Sequence, residues 1–180
     1  TTPKYKSRLK TLKTLQSLDK THYSGTEELL LSEKYLNNYK NSIVMKILKY
    51  FKSTDKVLEY GAGVGTLALN WKIKSGTRPE CLEIDNNLRS ILINRGFKCY
   101  DKPESVTKTY DGIYTSNVLE HIENDDETLK QIHTMLKPGC NLAIYVPAFM
   151  CLYSELDSSV GHYRRYHKKE LIEKLKKNKY

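Results

Sequence analysis

The fold of this 180-residue chain is decided by the stretch Val57-Leu58-Glu59-Tyr60-Gly61-Ala62-Gly63-Val64-Gly65. Its first four residues are typical of a short buried strand, and the glycines that follow predict a tight turn in which the backbone can approach a ligand closely. Residues 66–74 have the pattern of a helix, whose first N–H groups lack partners within the helix. We interpret the stretch as a strand–turn–helix unit that holds a ligand. The alternative is a tight turn without one.

Strands and helices alternate on both sides of this unit. A helix is predicted at 41–52, with strands at 80–84, 97–100, 111–116 and 141–146, and further helices at 86–94, 126–136 and 168–177. Strands separated by helices of about ten residues favour βαβ units and a parallel sheet. The sequence therefore predicts an α/β fold with a doubly wound, mostly parallel sheet. In such sheets ligands bind at the carboxyl ends of the strands.

The spacing of the glycines separates this turn from the turn of dinucleotide-binding folds. Their G-x-G-x-x-G fingerprint would place a glycine at position 66, which is Thr66. The chain instead has Gly61, Gly63 and Gly65. Glu59 lies just before the turn, where its carboxylate would repel a pyrophosphate and attract the ammonium of an amino-acid moiety. An NAD-dependent reductase is therefore disfavoured.

A second acidic motif, Glu83-Ile84-Asp85, lies at the end of the strand predicted at 80–84. It comes one βα unit after the glycine turn, where a carboxylate can accept both hydroxyls of a ribose. Glu83 and Asp85 alternate onto the same side, and we favour Glu83 because it lies nearer the strand. Asp85 is alternatively the N-cap of the next helix.

Two later motifs complete the pattern. The strand predicted at 111–116 leads into Asn117-Val118-Leu119-Glu120-His121, and Leu136-Lys137-Pro138-Gly139-Cys140 precedes the strand predicted at 141–146. Together with the two motifs above, they resemble class I S-adenosylmethionine (SAM)-dependent methyltransferases with a Rossmann-like fold. In particular they resemble the small-molecule branch with LEH after the fourth strand and LKPGG before the fifth. Cys140 stands where the second glycine is usual.

The resemblance implies SAM as the cofactor and assigns roles to individual residues. Glu83 would bind the ribose, together with or instead of Asp85, and Ile84 would pack on the adenine. Asp101 would contact the adenine amino group, unless it belongs only to a turn. Asn117 would lie beside the sulfonium. The methionine end of SAM would be held by Glu59, Gly61, Gly63 and Gly65.

A last motif, Gly161-His162-Tyr163-Arg164-Arg165-Tyr166, resembles the GHYRRY stretch of some bacterial methyltransferases of this branch. Arginine and tyrosine side chains can hold a carboxylate or phosphate through charge-assisted hydrogen bonds. The predicted acceptor-binding residues are Tyr153, Arg164, Arg165 and Tyr166. The alternative is that one arginine pairs with Asp157 or Glu155 and only fixes the loop.

Methyl transfer from a sulfonium mainly requires alignment of donor and acceptor, and a base only where the nucleophile must lose a proton. His121 is the first candidate for that base by resemblance, and His162 is the second. Both are alternatively structural. We expect no metal site, because the chain has no characteristic metal-binding spacing of His and Cys.

The expected reaction is methylation of an oxygen or nitrogen atom of a small, polar or anionic acceptor. The alternatives are an RNA or protein methyltransferase and a catalytically silent SAM-binding module. Nucleic acid is not favoured as a partner. Residues 1–20 carry six basic groups and one acidic group, and residues 163–180 carry eight and two, so the basic excess lies at the two ends of the chain. Such ends are usually solvated, although they can also attract an acidic partner.

We expect two regions, a basic helical extension or lid at 1–39 and the SAM-binding methyltransferase domain at 40–180. Family members usually finish with a β-hairpin that residues 178–180 do not reach, which predicts a sheet truncated at its C-terminal end. The four cysteines are spaced unlike a disulfide framework or zinc site. With no apolar run long enough to span a membrane, we expect a cytoplasmic protein with reduced cysteines.

Overall fold

The computed structural model describes residues 26–180, so expectations on residues 1–25 lie outside the described part of the chain. A single sheet contains β1 (Val57–Tyr60), β2 (Glu80–Leu82), β3 (Cys99–Tyr100), β4 (Tyr110–Ser116) and β5 (Leu136–Tyr145). The helices are α1 (Thr26–Tyr35), α2 (Asn37–Leu48), α3 (Thr66–Ser75), α4 (Asn86–Asn94), α5 (Asp125–Met135), α6 (Glu155–Ser159) and α7 (Lys168–Lys177). Short 3₁₀ turns lie at Pro103–Ser105, Leu119–His121 and Met150–Leu152.

The strands are ordered β3-β2-β1-β4-β5, and every neighbouring pair is parallel. From β1 the chain winds outward through β2 to β3, then crosses back to place β4 on the other side of β1. The carboxyl ends of β1 and β4 therefore flank the topological switch point, where open α/β sheets bind ligands. This arrangement confirms the predicted doubly wound parallel fold.

Helices cover both faces of the sheet. Successive side chains of β1 point to opposite faces of the sheet, and all four are buried. Both faces are therefore covered, as is typical of a central parallel strand. Val57 packs with α2 and α3, while Leu58 packs with α5. On the first face Trp71 stacks on Tyr114, with ring centroids 4.9 Å apart. This two-sided burial fixes the ends of β1 and β4 rigidly.

Several predicted element boundaries were wrong, including the ends of the strands predicted at 80–84 and 97–100. The helix predicted at 41–52 begins at Asn37 and ends at Leu48, because Leu36 leaves the helical conformation (φ −111°, ψ 25°) and separates α1 from α2. The helix spans residues 39 and 40, and the division into an extension at 1–39 and a domain at 40–180 stays a prediction. The stretch Lys137-Pro138-Gly139, predicted to end a helix, lies in β5 instead.

A bulge explains how β5 tolerates that stretch. Tyr110 of β4 pairs with Leu136, but Gly112 already pairs with Asn141, so the residues between Leu136 and Asn141 bulge out of register. Proline can be accommodated there because β5 is an edge strand in which a missing N–H costs little. Beyond α7 the described residues contain no further strand, as expected.

Two further findings concern the whole described region. The four cysteines are free, and only Cys151 is exposed. No helix within residues 26–180 is both long enough and apolar enough to cross a membrane.

Candidate active site

A cleft of about 860 Å³ opens over the carboxyl ends of β1, β2 and β4. Its size is within the range of small-molecule sites, roughly 300–1,000 Å³. Both predicted bases, His121 and His162, line it. Of the residues predicted to bind the cofactor, those that line it are Glu59, Gly61, Gly63, Glu83, Ile84, Asp85 and Asn117. The cleft thus brings together residues from four separate sequence motifs.

The glycine turn forms the floor of the cleft. Gly61 and Gly63 have left-handed backbone conformations, with φ of 75° and 57°. A Cβ atom on Gly61 would lie 2.4 Å from Cγ2 of Val118, so the position has no room for a side chain. Gly65 is different, because it is not among the lining residues and a Cβ atom there would lie 2.5 Å from Cδ2 of Leu92. Its left-handed backbone, with φ of 83°, and its packing against α4 both require glycine.

Glu59 is buried at the end of β1, with only 2% of its surface exposed. The hydroxyl of Tyr114 donates a hydrogen bond of 2.9 Å to its Oε2 atom. Burial raises the pKa of Glu59 to about 8, against the opposing effects of Tyr114 and of the nearby Lys40. Burial in turn lowers the pKa of Lys40. The end of β1 therefore presents a carboxyl group whose ionised form would be stabilised by a cationic group of a ligand.

Glu83 and Asp85 have separate roles in the structure. Oε2 of Glu83 accepts from the Gly63 N–H at 2.8 Å, and Oε1 accepts from the Asp85 N–H at 2.9 Å. Burial raises the pKa of Glu83, although these N–H groups oppose the shift. Asp85 caps α4, since its Oδ1 accepts from the N–H groups of Asn87 and Leu88. Asp85 thus caps the helix while also lining the cleft, and a contact between Asp85 and the ribose stays a prediction.

Three other predicted residues differ in their placement. Ile84 is 72% exposed at the edge of the cleft, where an apolar side chain is available for stacking. Asn117 has a left-handed conformation with φ of 53°, and its N–H donates to the Tyr145 carbonyl at 2.8 Å. Asp101 is exposed, is not among the lining residues, and accepts from the Ser105 hydroxyl at 2.6 Å.

Both predicted bases lie at the other end of the cleft. The rings of His121 and His162 meet edge to face, with centroids 4.6 Å apart. Burial lowers the pKa of His121, and the neighbouring His162 lowers it further. Glu120 is fully buried behind them, and burial raises its pKa to about 7.

The predicted acceptor-binding residues are engaged in contacts within the protein. Arg165 forms two hydrogen bonds with Asp157, of 2.8 and 2.9 Å. Arg164 pairs with Asp125 at 3.0 Å, and the Tyr166 hydroxyl donates to the same carboxylate at 2.8 Å. The Tyr153 hydroxyl donates to the His162 carbonyl at 2.6 Å. These contacts match the alternative in which the arginines fix the loop, and a role in acceptor binding stays a prediction.

Sequence reasoning missed four residues of the site. Lys40 and Leu29 reach the cleft from helices that precede β1, and Tyr114 reaches Glu59 from the neighbouring strand. Glu120 lies within a recognised motif, but the motif assigned it no role. Pairing of β1 with β4 could have indicated Tyr114, because Glu59 and Tyr114 are register partners. No local pattern indicates Lys40 or Leu29.

The architecture matches that of solved methyltransferases. A SAM-dependent methyltransferase from Archaeoglobus fulgidus superposes with a TM-score of 0.69 at 21% identity, covering 84% of this chain and 73% of that protein. Phosphoethanolamine N-methyltransferase 2 from Haemonchus contortus, solved with SAM, superposes with a TM-score of 0.63 at 19% identity, covering 78% and 36%. Identities this low establish the Rossmann-like methyltransferase fold alone.

Sequence comparison defines the family. The methyltransferase domain family matches residues 32–178, and the chain belongs to this family. This confirms the SAM-dependent methyltransferase class expected from the sequence. Phosphoethanolamine N-methyltransferase 1 from Zea mays is 27% identical over 143 residues, which cover 71% of this chain and 28% of the maize protein. The chain thus matches little more than a quarter of the length of that relative.

Proposed function

We propose that this domain binds SAM in the cleft and transfers its methyl group to a nitrogen atom of a small, polar acceptor. The observation that carries the proposal is the position of two buried carboxyl groups, Glu59 and Glu83, at neighbouring strand ends on either side of the glycine turn. Two such groups suit a ligand with an ammonium at one end and a ribose in the middle. SAM has both.

The residues of the cleft fit this cofactor. Glu59 would pair with the ammonium of the methionine moiety, and Gly61 and Gly63 let that moiety approach the backbone. Glu83 has further acceptor capacity on its two oxygens for the ribose hydroxyls, because each accepts one backbone N–H here. Ile84 would cover the adenine, and Asn117 would lie near the sulfonium. When bound, the cofactor supplies the methyl group.

The acceptor is proposed as an amine because both phosphoethanolamine methyltransferases above are named for N-methylation. An amine that arrives protonated must lose its proton to a base before its lone pair can attack. His121 and His162 line the cleft and are the candidates. The chain's own contribution is otherwise to align the acceptor and exclude water.

We also propose that α1 closes one side of the cofactor site, within the region predicted as a lid. Leu29 lines the cleft, and its Cδ1 lies 3.5 Å from the position of a Cβ atom on Gly63. Glu33 anchors the helix, since its Oε2 contacts Arg95 at 3.0 Å and accepts from the Thr66 hydroxyl at 3.3 Å. These contacts support a position of α1 over the glycine turn.

The test is a transfer assay with SAM that carries a labelled methyl group. The panel pairs small amines, including phosphoethanolamine and histamine, with analogues in which a hydroxyl replaces the amine, and adds RNA and a protein mixture. Labelling of an amine but not of its hydroxyl analogue supports the proposal. Labelling confined to hydroxyl analogues, RNA or protein contradicts the acceptor class, and binding of SAM without any labelling indicates a silent module.

A further inference from the structure

Glu120, His121 and His162 form a compact cluster at the end of the cleft away from Glu83. One ligand atom from each residue lies within 4.8 Å of those of the other two. His121 and His162 also line the cleft, so the cluster borders the space where an acceptor would lie. Its members come from the 3₁₀ turn after β4 and from the loop after α6.

Glu120 is the unusual member of the cluster. Its side chain has no exposed surface, and neither carboxylate oxygen has a hydrogen-bond partner within residues 26–180. A buried carboxyl group without a partner is costly, and buried charges in proteins are normally paired or coordinate a metal ion. The carboxylate therefore lacks the group that would satisfy it.

Both imidazoles are held by contacts behind the cleft, and the contact of His162 leaves one of its ring nitrogens free. Nδ1 of His162 lies 2.9 Å from Oδ1 of Asp157, and Arg165 and Ser154 in turn hold that carboxylate. This contact makes Nδ1 the protonated nitrogen and leaves the lone pair on Nε2. The His121 ring hydrogen-bonds to backbone carbonyls in the loop at 160–161. Outer contacts of this kind fix the tautomer and orientation of metal-binding histidines.

We propose that Glu120, His121 and His162 bind a divalent transition-metal ion of the zinc class. Two imidazole nitrogens and one carboxylate are a ligand set that zinc uses where one coordination position stays open. Here the open position would face the cleft, where it can take a lone-pair-bearing or anionic group of a ligand. The ligand atoms of the cluster lie within 4.8 Å of one another, whereas the ligand atoms of a tetrahedral zinc site lie roughly 3.4 Å apart. Side-chain rotation therefore has to shorten each distance by at most about 1.4 Å.

With the ion bound, neither histidine has a lone pair left for the acceptor's proton, so the base role proposed above applies to the metal-free domain. It does not rest on the proposed acceptor, and it predicts metal binding in the absence of SAM. The cluster could also be filled by the ammonium of an amine, and a metal titration separates these two cases.

The experiment is calorimetric titration of the whole untagged chain with Zn²⁺ after removal of metals with a chelator. We expect one ion per chain. Glu120→Gln and His162→Ala should each weaken binding by at least about tenfold, and Asp157→Asn by about 10–100-fold, the range for an outer contact. His133→Ala is the matched control, since it removes a histidine outside the cluster. Co²⁺ should give a visible absorption band that Glu120→Gln abolishes.

Two results would overturn the metal site. One is the absence of stoichiometric Zn²⁺ binding by the folded wild-type chain, which would leave the cluster to an ammonium or to a purely structural role. The other is binding that Glu120→Gln and His162→Ala leave unchanged, which would place the ion elsewhere, for example on the exposed Cys151. Circular dichroism and S-adenosylhomocysteine binding establish that each variant is folded and that cofactor binding is a separate property.

Discussion

At the scale of single residues, the burial of Glu59 governs the electrostatics of the cofactor end of the cleft. Its pKa is raised to about 8, whereas an unfolded chain ionises glutamate near pH ~4.3. Between these pH values the folded state retains a proton that the unfolded state releases. The stabilisation from this group is therefore fully present below pH ~4.3 and is lost as the pH rises through about 8.

The replacement Glu59→Gln tests this effect, because it keeps an acceptor for the Tyr114 hydroxyl but carries no charge. The free energy of unfolding of the variant, minus that of wild type, should be more than about 1 kcal/mol larger at pH 8.5 than at pH 5.5. Urea unfolding of both proteins at the two pH values measures it. Glu127→Gln, at an exposed site on α5, serves as the control. A difference that does not change with pH would contradict the raised pKa.

Gly61 is required for two separable reasons, its left-handed backbone and its contact with Val118. Gly76 has the same φ of 75°, but a Cβ atom there would meet no other atom within 4 Å, so it isolates the backbone effect. Gly76→Ala should cost about 1 kcal/mol, and Gly61→Ala should cost about 1–3 kcal/mol more because of overpacking. Thermal unfolding measures both. Equal losses at the two sites would show that the contact with Val118 is unimportant.

Single residues also show what the sequence could and could not predict. Glu59 and Glu83 were predictable because each lies at the end of a strand-like run, next to a glycine turn or a helix start. Lys40 was not, since it approaches Glu59 only through the packing of α2 against the sheet. Gly65 is predicted to bind the cofactor by its place in the motif, and its packing against Leu92 is a further constraint that the motif did not indicate.

At the scale of elements, the start of α4 distinguishes Asp85 from Glu83, because Asp85 caps the helix and Glu83 does not. Asp85→Ala removes the cap and should destabilise the fold by about 1 kcal/mol, while Asp85→Asn should stay close to wild type because asparagine caps equally well. Both variants should bind S-adenosylhomocysteine with little change. Unfolding curves and calorimetry check this. A large loss of binding in Asp85→Asn would instead give Asp85 a direct role in the ribose site.

The loop after β5 is organised around Asp157, which holds His162, Arg165 and the start of α6. We predict that Asp157→Ala releases this loop, raising the KM for the acceptor at least about tenfold while leaving S-adenosylhomocysteine affinity within about twofold. Steady-state kinetics and calorimetry provide the two readouts. The control is Glu155→Ala, in the same short helix and exposed. Equal weakening of both ligands would mean that the loop supports the whole cleft.

Helix and strand identities were predictable from periodicity, but several ends were not. The α4 and α7 boundaries agree with prediction because caps and charged ends are local signals. The predicted start of β5 was wrong because a proline and a glycine normally end a helix, whereas Pro138 and Gly139 are accommodated here in a bulge of an edge strand. Bulges depend on the neighbouring strand, which a local pattern does not contain.

At the scale of the whole molecule, the sheet order positions the chemistry. The crossover between β3 and β4 brings the ends of β1 and β4 side by side, so that residues over 50 positions apart, such as Glu59 and Tyr114, share one site. The alternation of strands and helices in the sequence was enough to predict a doubly wound parallel sheet, but the strand order comes from the structure. It could not define the acceptor end, which is built from the loop after β5 and from packing that the motifs do not encode.

The central claim, that the cleft holds SAM with Glu83 on its ribose, is tested most directly by calorimetric titration with S-adenosylhomocysteine. We predict micromolar binding by the wild-type chain, at least a tenfold loss in Glu83→Ala because a charge-assisted contact of about 1.5–3 kcal/mol is removed, and no loss in Glu127→Ala. NAD should not bind. Failure of a folded wild-type chain to bind, or unchanged binding by Glu83→Ala, would contradict the account.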